Sequence, residues 1–313
     1  MNHDGINGQC SIFNPKGRQI HAEGICKVYP DRGGLKTVLD NVDLRVAKGE
    51  FVSLVGPSGC GKSTLFRLFL GAEEQTSGVL FIGGDTVEPP DPTRGIVYQQ
   101  YALFPHLTVL DNIVLGHRLS LSFIEWHRRK DEIRTRAIEY LATAQLEDQL
   151  YKYPHQLSGG QQQRASVIQA LMMSPKVLLM DEPFGALDPG TRVRMQTFLL
   201  KKWEETGTTI VFVTHDLEEA VFLGTRVVVL SQHYTDGRGD GAQRGSRIVC
   251  DLQVGTVGQA ASSKSKEDPA FTRTIEHVRK FVLKPEHAWH LEQFDLQHPD
   301  SFTTTNPDEL KKQ

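Results

Sequence analysis

The chain has 313 residues, of which 39% are hydrophobic and 23% are charged, and its formal net charge is −3 at pH 7. The length allows one large domain with an appendage, or two ordinary domains. The composition is typical of a globular protein, and the slight negative charge gives no reason to expect nucleic acid as a partner, because binding to phosphate backbones normally leaves a basic footprint.

Two further classes find no support in the sequence. No apolar run approaches the roughly 18 residues that would span a bilayer, so we expect any membrane-spanning helices to come from other subunits. The N-terminus has no basic segment followed by an apolar stretch, and so predicts no signal peptide.

The four cysteines are widely separated along the chain. Cys10, Cys26, Cys60 and Cys250 include no CxxC pair, so their spacing predicts neither a zinc site nor a disulfide framework. We expect free thiols in a reducing cytoplasm.

The first third of the chain predicts strands and then a loop before a helix. Residues 1–20 are polar and predict a flexible tail. From Gly24 the stretches GICKVYP, VLDNVDLRVAKGE and FVSLVG alternate like strands. The glycine-rich GPSGCGKST follows, and KSTLFRLFLG has helical periodicity.

The pattern changes over about 99–165, which predicts a mainly helical segment with Ile133, Ala137, Tyr140 and Leu141 at helical spacing. The apolar runs in KVLLMDEP and TTIVFVTHD then predict buried parallel strands covered by helices. After Ser231 the glycine-rich TDGRGDGAQRG predicts a loop, and DPAFTRTIEHVRKFVL predicts a further helix.

The segment Gly56–Thr64 matches the phosphate-binding pattern G-x-x-x-x-G-K-[ST]. Its glycines let backbone N–H groups converge on a phosphate, and the next helix adds partial positive charge at its N-terminus. We expect Lys62 to reach the β- and γ-phosphates and the Ser63 hydroxyl to bind Mg²⁺.

Polar residues follow two apolar strands. Asp181 ends VLLMD, where it would hold Mg²⁺, and Glu182 next to it would orient and deprotonate an attacking water. His215 follows IVFVT at the ligand-binding edge of a parallel sheet, where it would contact the γ-phosphate. Tyr29 would stack on an adenine ring, although local packing of a strand aromatic is an open alternative.

Taken in order, these motifs resemble those of ATP-binding-cassette (ABC) ATPases from about Gly24 to Ser231. The resemblance adds Gln99 as the Q-loop glutamine, which spacing to YALFPH favours over Gln100, and LSGGQ at 157–161 as the signature. It also makes Asp188 in GALD the D-loop aspartate. It implies an α/β P-loop NTPase (RecA-like) core with a parallel sheet, an N-terminal antiparallel β subdomain, and a helical subdomain inserted after the Q-loop.

The implied domains are a tail over 1–20, an ABC ATPase domain over 21–230 with its helical subdomain at about 99–165, and a C-terminal extension of unknown role over 231–313. The implied catalytic residues are Glu182, His215 and Gln99, and the implied Mg²⁺ contacts are Ser63, Gln99 and Asp181. The implied ATP-contacting positions are Tyr29, Gly56, Pro57, Ser58, Gly59, Cys60, Gly61, Lys62, Ser63, Thr64, Ser158, Gly159, Gly160, Gln161 and Asp188.

The family resemblance also implies assembly. In such proteins two cassettes pack head to tail, and each ATP lies between the phosphate loop of one and the signature of the other. This chain has one of each, so we expect a homodimer. The partners implied beyond it are transmembrane permease subunits and, indirectly, a periplasmic or extracellular solute-binding protein, with the chain held peripherally at the cytoplasmic face of the inner membrane.

Within the family, VFLGTRVVVLS resembles the nitrate, sulfonate and taurine importer group, whereas ALFPHLTV is closer to sugar and polyamine importers. Leu103, Phe104 and Pro105, with Tyr101, would line a groove for a permease helix. An exporter or lipid-extracting cassette is the nearest alternative. A DNA-repair or translation ATPase would usually carry a coiled coil or two cassettes, and LSGGQ with Glu182 argues against a small-molecule kinase.

Overall fold

A computed structural model describes residues 18–31, 34–87, 91–100, 102–239, 244–261, 266–283 and 288–304. The strands are β1 (Arg18–Asp31), β2 (Gly34–Ala47), β3 (Phe51–Val55), β4 (Ser77–Ile82), β5 (Asp85–Thr86), β6 (Arg94–Val97), β7 (Val177–Asp181), β8 (Thr209–Val213), β9 (Arg226–Ser231), β10 (Tyr234–Thr235), β11 (Arg247–Gln253), β12 (Trp289–His290) and β13 (Asp295–Leu296). The helices are α1 (Lys62–Leu70), α2 (Val109–Ser120), α3 (Phe123–Thr143), α4 (Gly159–Met172), α5 (Pro189–Thr206), α6 (Leu217–Leu223) and α7 (Pro269–Leu283).

The main sheet has seven strands in the order β13-β11-β9-β3-β8-β7-β6. Its five strands from β9 to β6 are mutually parallel. Every residue of β3, β8 and β9 is buried, as expected where helices cover both faces of a sheet. The predicted parallel α/β core is therefore confirmed.

A second, antiparallel sheet forms before and after the phosphate loop. It has the strand order β2-β1-β4-β5, with β1 paired to β2 along most of its length. The predicted N-terminal antiparallel β region is confirmed. The predicted tail over 1–20 lies outside the described residues up to 17, and residues 18–20 already belong to β1.

Helices α2, α3 and α4 occupy the segment predicted to be helical. Thr108 and Ser122 cap α2 and α3 by accepting hydrogen bonds from backbone N–H groups, which explains why the two helices begin there. Ile133, Ala137 and Leu141 of α3 are buried at the predicted spacing. The boundaries of about 99–165 for this subdomain stay a prediction, and α4 runs on to Met172.

The chain after Ser231 continues the main sheet. Strand β11 pairs antiparallel with β9, and β13 adds in parallel to β11. The predicted helix is present as α7, and it packs on this end of the sheet through Ile275, Val278 and Phe281. Thus the boundary at 230, which stays a prediction, falls within one continuous sheet. No helix in the described part of the chain is long and apolar enough to cross a membrane.

Candidate functional site

Three neighbouring strands bring the predicted chemistry to one edge of the sheet. Strands β3, β8 and β7 are adjacent and parallel, so their carboxyl ends meet at the same edge. The loop 56–61 follows β3, His215 follows β8 after one residue, and Asp181 ends β7. This is the edge at which open α/β sheets bind ligands.

The loop after β3 is closely packed. A Cβ added at Gly56 would lie 2.2 Å from the backbone oxygen of Leu230, so only glycine fits. Gly61 has φ +92°, a conformation that glycine adopts without strain, and a Cβ there would meet Val38 and Leu39 at 3.0 Å. The loop is thereby held at the edge of the sheet.

The N-terminus of α1 has donors to offer. Its capping residue, Gly61, makes no side-chain hydrogen bond to the first turn, so the backbone N–H groups of this turn have no side-chain cap. Lys62 Nζ donates to the backbone oxygens of Gly56 (2.7 Å) and Pro57 (3.0 Å), which keeps its ammonium group over the loop. Uncapped N–H groups and a lysine side by side suit an anion such as a phosphate.

Cys60 sits inside this loop with its side chain buried. Burial raises the pKa of its thiol, and the nearby Lys62 ammonium opposes that shift only in part. The thiol is therefore protonated at neutral pH and acts as a packing residue under the loop.

The carboxylates after β7 suit a cation. Burial raises the pKa of Asp181, the charge of Glu182 raises it further, and Lys62 and Arg67 oppose the shift. A half-buried carboxylate held beside a second one is stabilised by a divalent cation. The Ser63 side chain, in the first turn of α1, is exposed and available as a second ligand. These residues fit Mg²⁺.

Two of the predicted catalytic residues, Gln99 and His215, contact the third, Glu182. Gln99 Nε2 donates to Glu182 Oε2 at 3.0 Å, and His215 Nδ1 lies 3.3 Å from Glu182 Oε1. Glu182 has φ +46°, an uncommon conformation for a residue with a side chain, and its N–H donates to the oxygen of Val213. The backbone of Glu182 is therefore held by β8, and its carboxylate is held by Gln99 and His215.

A buried glutamate that the sequence analysis missed, Glu219, holds Thr214, the residue before His215. The Thr214 hydroxyl donates to Glu219 Oε2 at 2.6 Å, and Gln196 Nε2 donates to Glu219 Oε1 at 2.9 Å. Burial raises the pKa of Glu219, and these hydrogen bonds oppose the rise. The signal was a glutamate four residues after the histidine in THDLEEA, on the side of α6 that faces the sheet.

The signature segment begins α4 and lies elsewhere. Ser158 Oγ accepts from the N–H of Gln161 at 3.3 Å, and Gln161 Oε1 accepts from the N–H of Ser158 at 2.8 Å, which forms a complete capping box. A Cβ added at Gly160 would be 3.5 Å from Leu187, so the segment lies beside the D-loop. Among the described residues, no hydrogen bond joins 158–161 to the loop 56–64.

Two other predicted residues have local contacts. Asp188 Oδ1 caps α5 by accepting from the N–H of Thr191 at 3.0 Å, which lowers the pKa of Asp188. The Tyr29 hydroxyl donates to Glu73, and Lys27 Nζ lies 5.0 Å from the centre of the Tyr29 ring. The role of Tyr29 in adenine stacking stays a prediction, because its contacts here are those of local packing.

The predicted permease groove is partly described. Tyr101 lies outside the described residues. Phe104 is 46% exposed, while Leu103 packs against the core and Pro105 is exposed. An exposed phenylalanine beside the Gln99 loop is consistent with a contact surface.

Comparison with known proteins points to one family. Residues 39–185 match the family described as "ABC transporter". The chain is 43% identical over 211 residues to the bicarbonate transport ATP-binding protein CmpD of Synechocystis sp., covering 67% of this chain and 73% of that protein. It is 39% identical over 265 residues to the taurine import ATP-binding protein TauB of Escherichia coli O157:H7, covering 85% of this chain and 98% of that protein.

A solved structure agrees in fold. The chain superposes with a TM-score of 0.62 and 32% identity on the ATP-binding cassette MJ0796, a dimer bound to ADP and phosphate in a post-hydrolysis state; the match covers 76% of this chain and 99% of that one. These similarities confirm the predicted family and fold, the likeness to the taurine importer group, and the binding and hydrolysis of ATP. They do not test the role of any single residue.

Proposed function

This chain belongs to the ABC transporter family of ATP-binding proteins, and from that premise we propose that its ATPase cycle powers the import of a small solute through separate permease subunits. The observation that carries the proposal is the sheet edge where the loop 56–61, Asp181 and the contacting residues Gln99, Glu182 and His215 come together. Each element that ATP hydrolysis needs is adjacent there: a phosphate cradle, a cation site and a carboxylate base.

Within this proposal each residue has a distinct task. The N–H groups of the loop and the ammonium of Lys62 hold the β- and γ-phosphates, and Tyr29 packs against the base. Ser63, Gln99 and Asp181 hold Mg²⁺, which neutralises phosphate charge when bound. Glu182 accepts the proton of the attacking water, and its position between Gln99 and His215 orients that carboxylate.

The signature takes part from a second copy of the chain. Ser158, Gly159, Gly160 and Gln161 lie at the N-terminus of α4 and have no hydrogen bond to this chain's own phosphate loop among the described residues. We therefore assign them, with Asp188 of the D-loop, to the ATP held by the partner. A head-to-tail homodimer then closes two sites at once, and a cassette of similar fold was solved as a dimer.

Coupling to transport needs membrane subunits. Exposed Phe104, with Leu103 and Pro105, follows the Gln99 loop and offers a surface for a permease helix. A movement of Gln99 on ATP binding would reach this surface directly along the chain. The chain would then lie peripherally at the cytoplasmic face of the cell membrane, with a solute-binding protein acting on the far side and no nucleic acid involved.

The solute class follows from the relatives alone. Bicarbonate and taurine are named for two of them, so small anionic or zwitterionic solutes are the candidates. The cassette itself does not contact the solute in this proposal, and the choice is made by its partners.

The test is solute uptake by native cells that carry either the wild-type chain or Lys62→Ala. We expect Lys62→Ala to abolish uptake of labelled bicarbonate, taurine or an alkanesulfonate, and to abolish ATP hydrolysis by the purified chain in Mg²⁺. Lys201→Ala, which changes an exposed lysine on α5, is the matched control and should change neither uptake nor hydrolysis. Loss of hydrolysis with normal uptake of every solute, and impaired efflux instead, would point to an exporter.

A further inference from the structure

A cluster of three metal-binding side chains lies in the C-terminal extension, away from the ATP edge. Cys250 is on β11, His277 is on α7 and Asp295 is on β13. Their donor atoms all lie within 4.8 Å of one another. The three residues are 18 or more positions apart along the chain, so no spacing motif announces them.

Strand pairing and helix packing bring these three side chains together. Cys250 and Asp295 are direct partners in the parallel pairing of β11 with β13, so their side chains leave the sheet on the same face. Helix α7 packs over that face and brings His277 Nε2 to 2.6 Å from Asp295 Oδ2. The ring of His277 is steadied by an edge contact with Phe281 at 5.5 Å.

A histidine–aspartate pair alone would be an ordinary ion pair. Here the third group is the thiol of Cys250, which is 0% exposed and accepts or donates no hydrogen bond within the described part of the chain. The side chains of His277 and Asp295 are 38% and 16% exposed, so solvent reaches the cluster from that side only. The cluster therefore has a buried sulfur ligand and an open entry path.

We propose that Cys250, His277 and Asp295 form a Zn²⁺ site that ties β11, α7 and β13 together. Zn²⁺ combines sulfur, imidazole and carboxylate ligands at low coordination number. With ligand distances of about 2.0–2.3 Å, a tetrahedral ion holds its donors roughly 3.3–3.6 Å apart. His277 and Asp295, now 2.6 Å apart, would separate by about 0.7 Å, and the sulfur of Cys250, within 4.8 Å of both, would adjust to the same spacing.

The solvent-exposed side of the cluster leaves room for a fourth ligand. Water takes the open position, and the thiol of Cys250 gives its proton to solvent as it binds. Because the three ligands join the last strands of the sheet to α7, the ion fixes the packing of the extension against the ATPase core. Binding of the ion would therefore stabilise that extension.

The test uses the full-length chain, stripped with chelator and without nucleotide, titrated with Zn²⁺ or Co²⁺ alone. We expect one ion per chain, a rise in melting temperature with Zn²⁺, and a thiolate-to-metal absorption band with Co²⁺. Cys250→Ser should remove the absorption band. His277→Gln and Asp295→Asn should each weaken metal binding by more than about tenfold, because loss of a residue that only hydrogen-bonds to a ligand already costs about that much.

Matched controls locate the ion. Cys26→Ser removes a free thiol on β1, and Asp148→Asn removes an exposed carboxylate of the helical segment; both variants should bind Zn²⁺ like the wild type. His277→Gln and Asp295→Asn change partly exposed side chains, so they serve even where Cys250→Ser lowers expression. Binding that persists in all three ligand variants, that falls in either control, or that is absent in the wild type overturns the proposal.

Discussion

The N-termini of α1 and α4 have the same backbone chemistry but differ in how their N–H groups are satisfied. Helix α1 begins after Gly61, which offers no side-chain cap, and Lys62 bonds to the carbonyls of the loop. Helix α4 begins after Ser158, whose side chain bonds to the N–H of Gln161 while Gln161 bonds back. Helix α1 therefore has no side-chain cap, whereas at α4 the capping box satisfies two N–H groups, those of Ser158 and Gln161.

The difference fits the two roles that we propose for these helix ends in a shared ATP site. At α1 the glycine loop is fixed by packing against Leu230 and Val38, so its donors are ready before nucleotide arrives. At α4 the Ser158 oxygen accepts from the N–H of Gln161, which leaves its hydroxyl proton free to donate to a partner's phosphate in the proposed dimer. The capping box holds the signature segment in place, and we expect its use in hydrolysis to depend on the dimer.

The largest effect should come from Glu182→Gln, beside the phosphate loop of the same chain. Removing the proton acceptor should lower the rate of hydrolysis by about 10²–10⁴-fold, while Gln99 and His215 retain a polar partner and ATP still binds. Turnover and nucleotide binding of the purified chain measure this, and size-exclusion chromatography should show an ATP-bound dimer. Normal hydrolysis by Glu182→Gln would remove Glu182 from the role of base.

A smaller but still large effect should come from Ser158→Arg in the signature segment. A bulky cation at the start of α4 blocks a partner's phosphate, so hydrolysis should fall by about a hundredfold, with ATP binding to each chain intact. Mixing Ser158→Arg with Lys62→Ala chains gives the decisive measurement. If the halves belong to different chains, the mixture regains one working site; if mixing restores nothing, the two halves act within one chain.

The cap itself can be tested with a matched pair of serines. Ser122 begins α3 with the same capping box that Ser158 makes at α4, but away from the ATP edge. Each change to alanine should lower the free energy of unfolding by roughly 1 kcal/mol, measured by urea denaturation. Only Ser158→Ala should also slow hydrolysis. An equal loss of turnover in Ser122→Ala would show that Ser158 affects hydrolysis only by stabilising its helix.

The smallest expected effect concerns the reactivity of Cys60 in the phosphate loop. Burial raises the pKa of its thiol, so the reactive thiolate is scarce at neutral pH and increases only as pH rises above the ordinary thiol range of about 8.5. Alkylation followed by mass spectrometry should label Cys60 several-fold more slowly than the half-buried Cys26 at pH 7.5. Fast labelling of Cys60 would show that the loop opens and is not preformed.

Local patterns predicted much of this molecule. The apolar runs ending at Val55, Asp181 and Val213 became the adjacent strands β3, β7 and β8, because continuous apolar segments are stable only in a buried sheet. The glycines of the phosphate loop were readable because close backbone approach excludes a Cβ. These features depend on residues near in sequence.

Contacts between segments far apart in the sequence could not be predicted from such local patterns. The resemblance assigned Gln99, Glu182 and His215 to catalysis, but their mutual contact depends on the order of strands in the sheet. Glu219 was missed since a glutamate in a short helix predicts exposure, and only packing of α6 on β3 buries it. The extension after Ser231 had no predicted role, yet it supplies β11 to the main sheet.

The sequence by itself determined the family, the strands and helices of the core, and the phosphate-binding chemistry, because these follow from short-range patterns. Only the tertiary structure decided which side chains meet: Glu182 between Gln99 and His215, and Cys250 beside His277 and Asp295. The reason is physical. Such contacts join residues that are far apart along the chain, and their distances are set by strand order and helix packing.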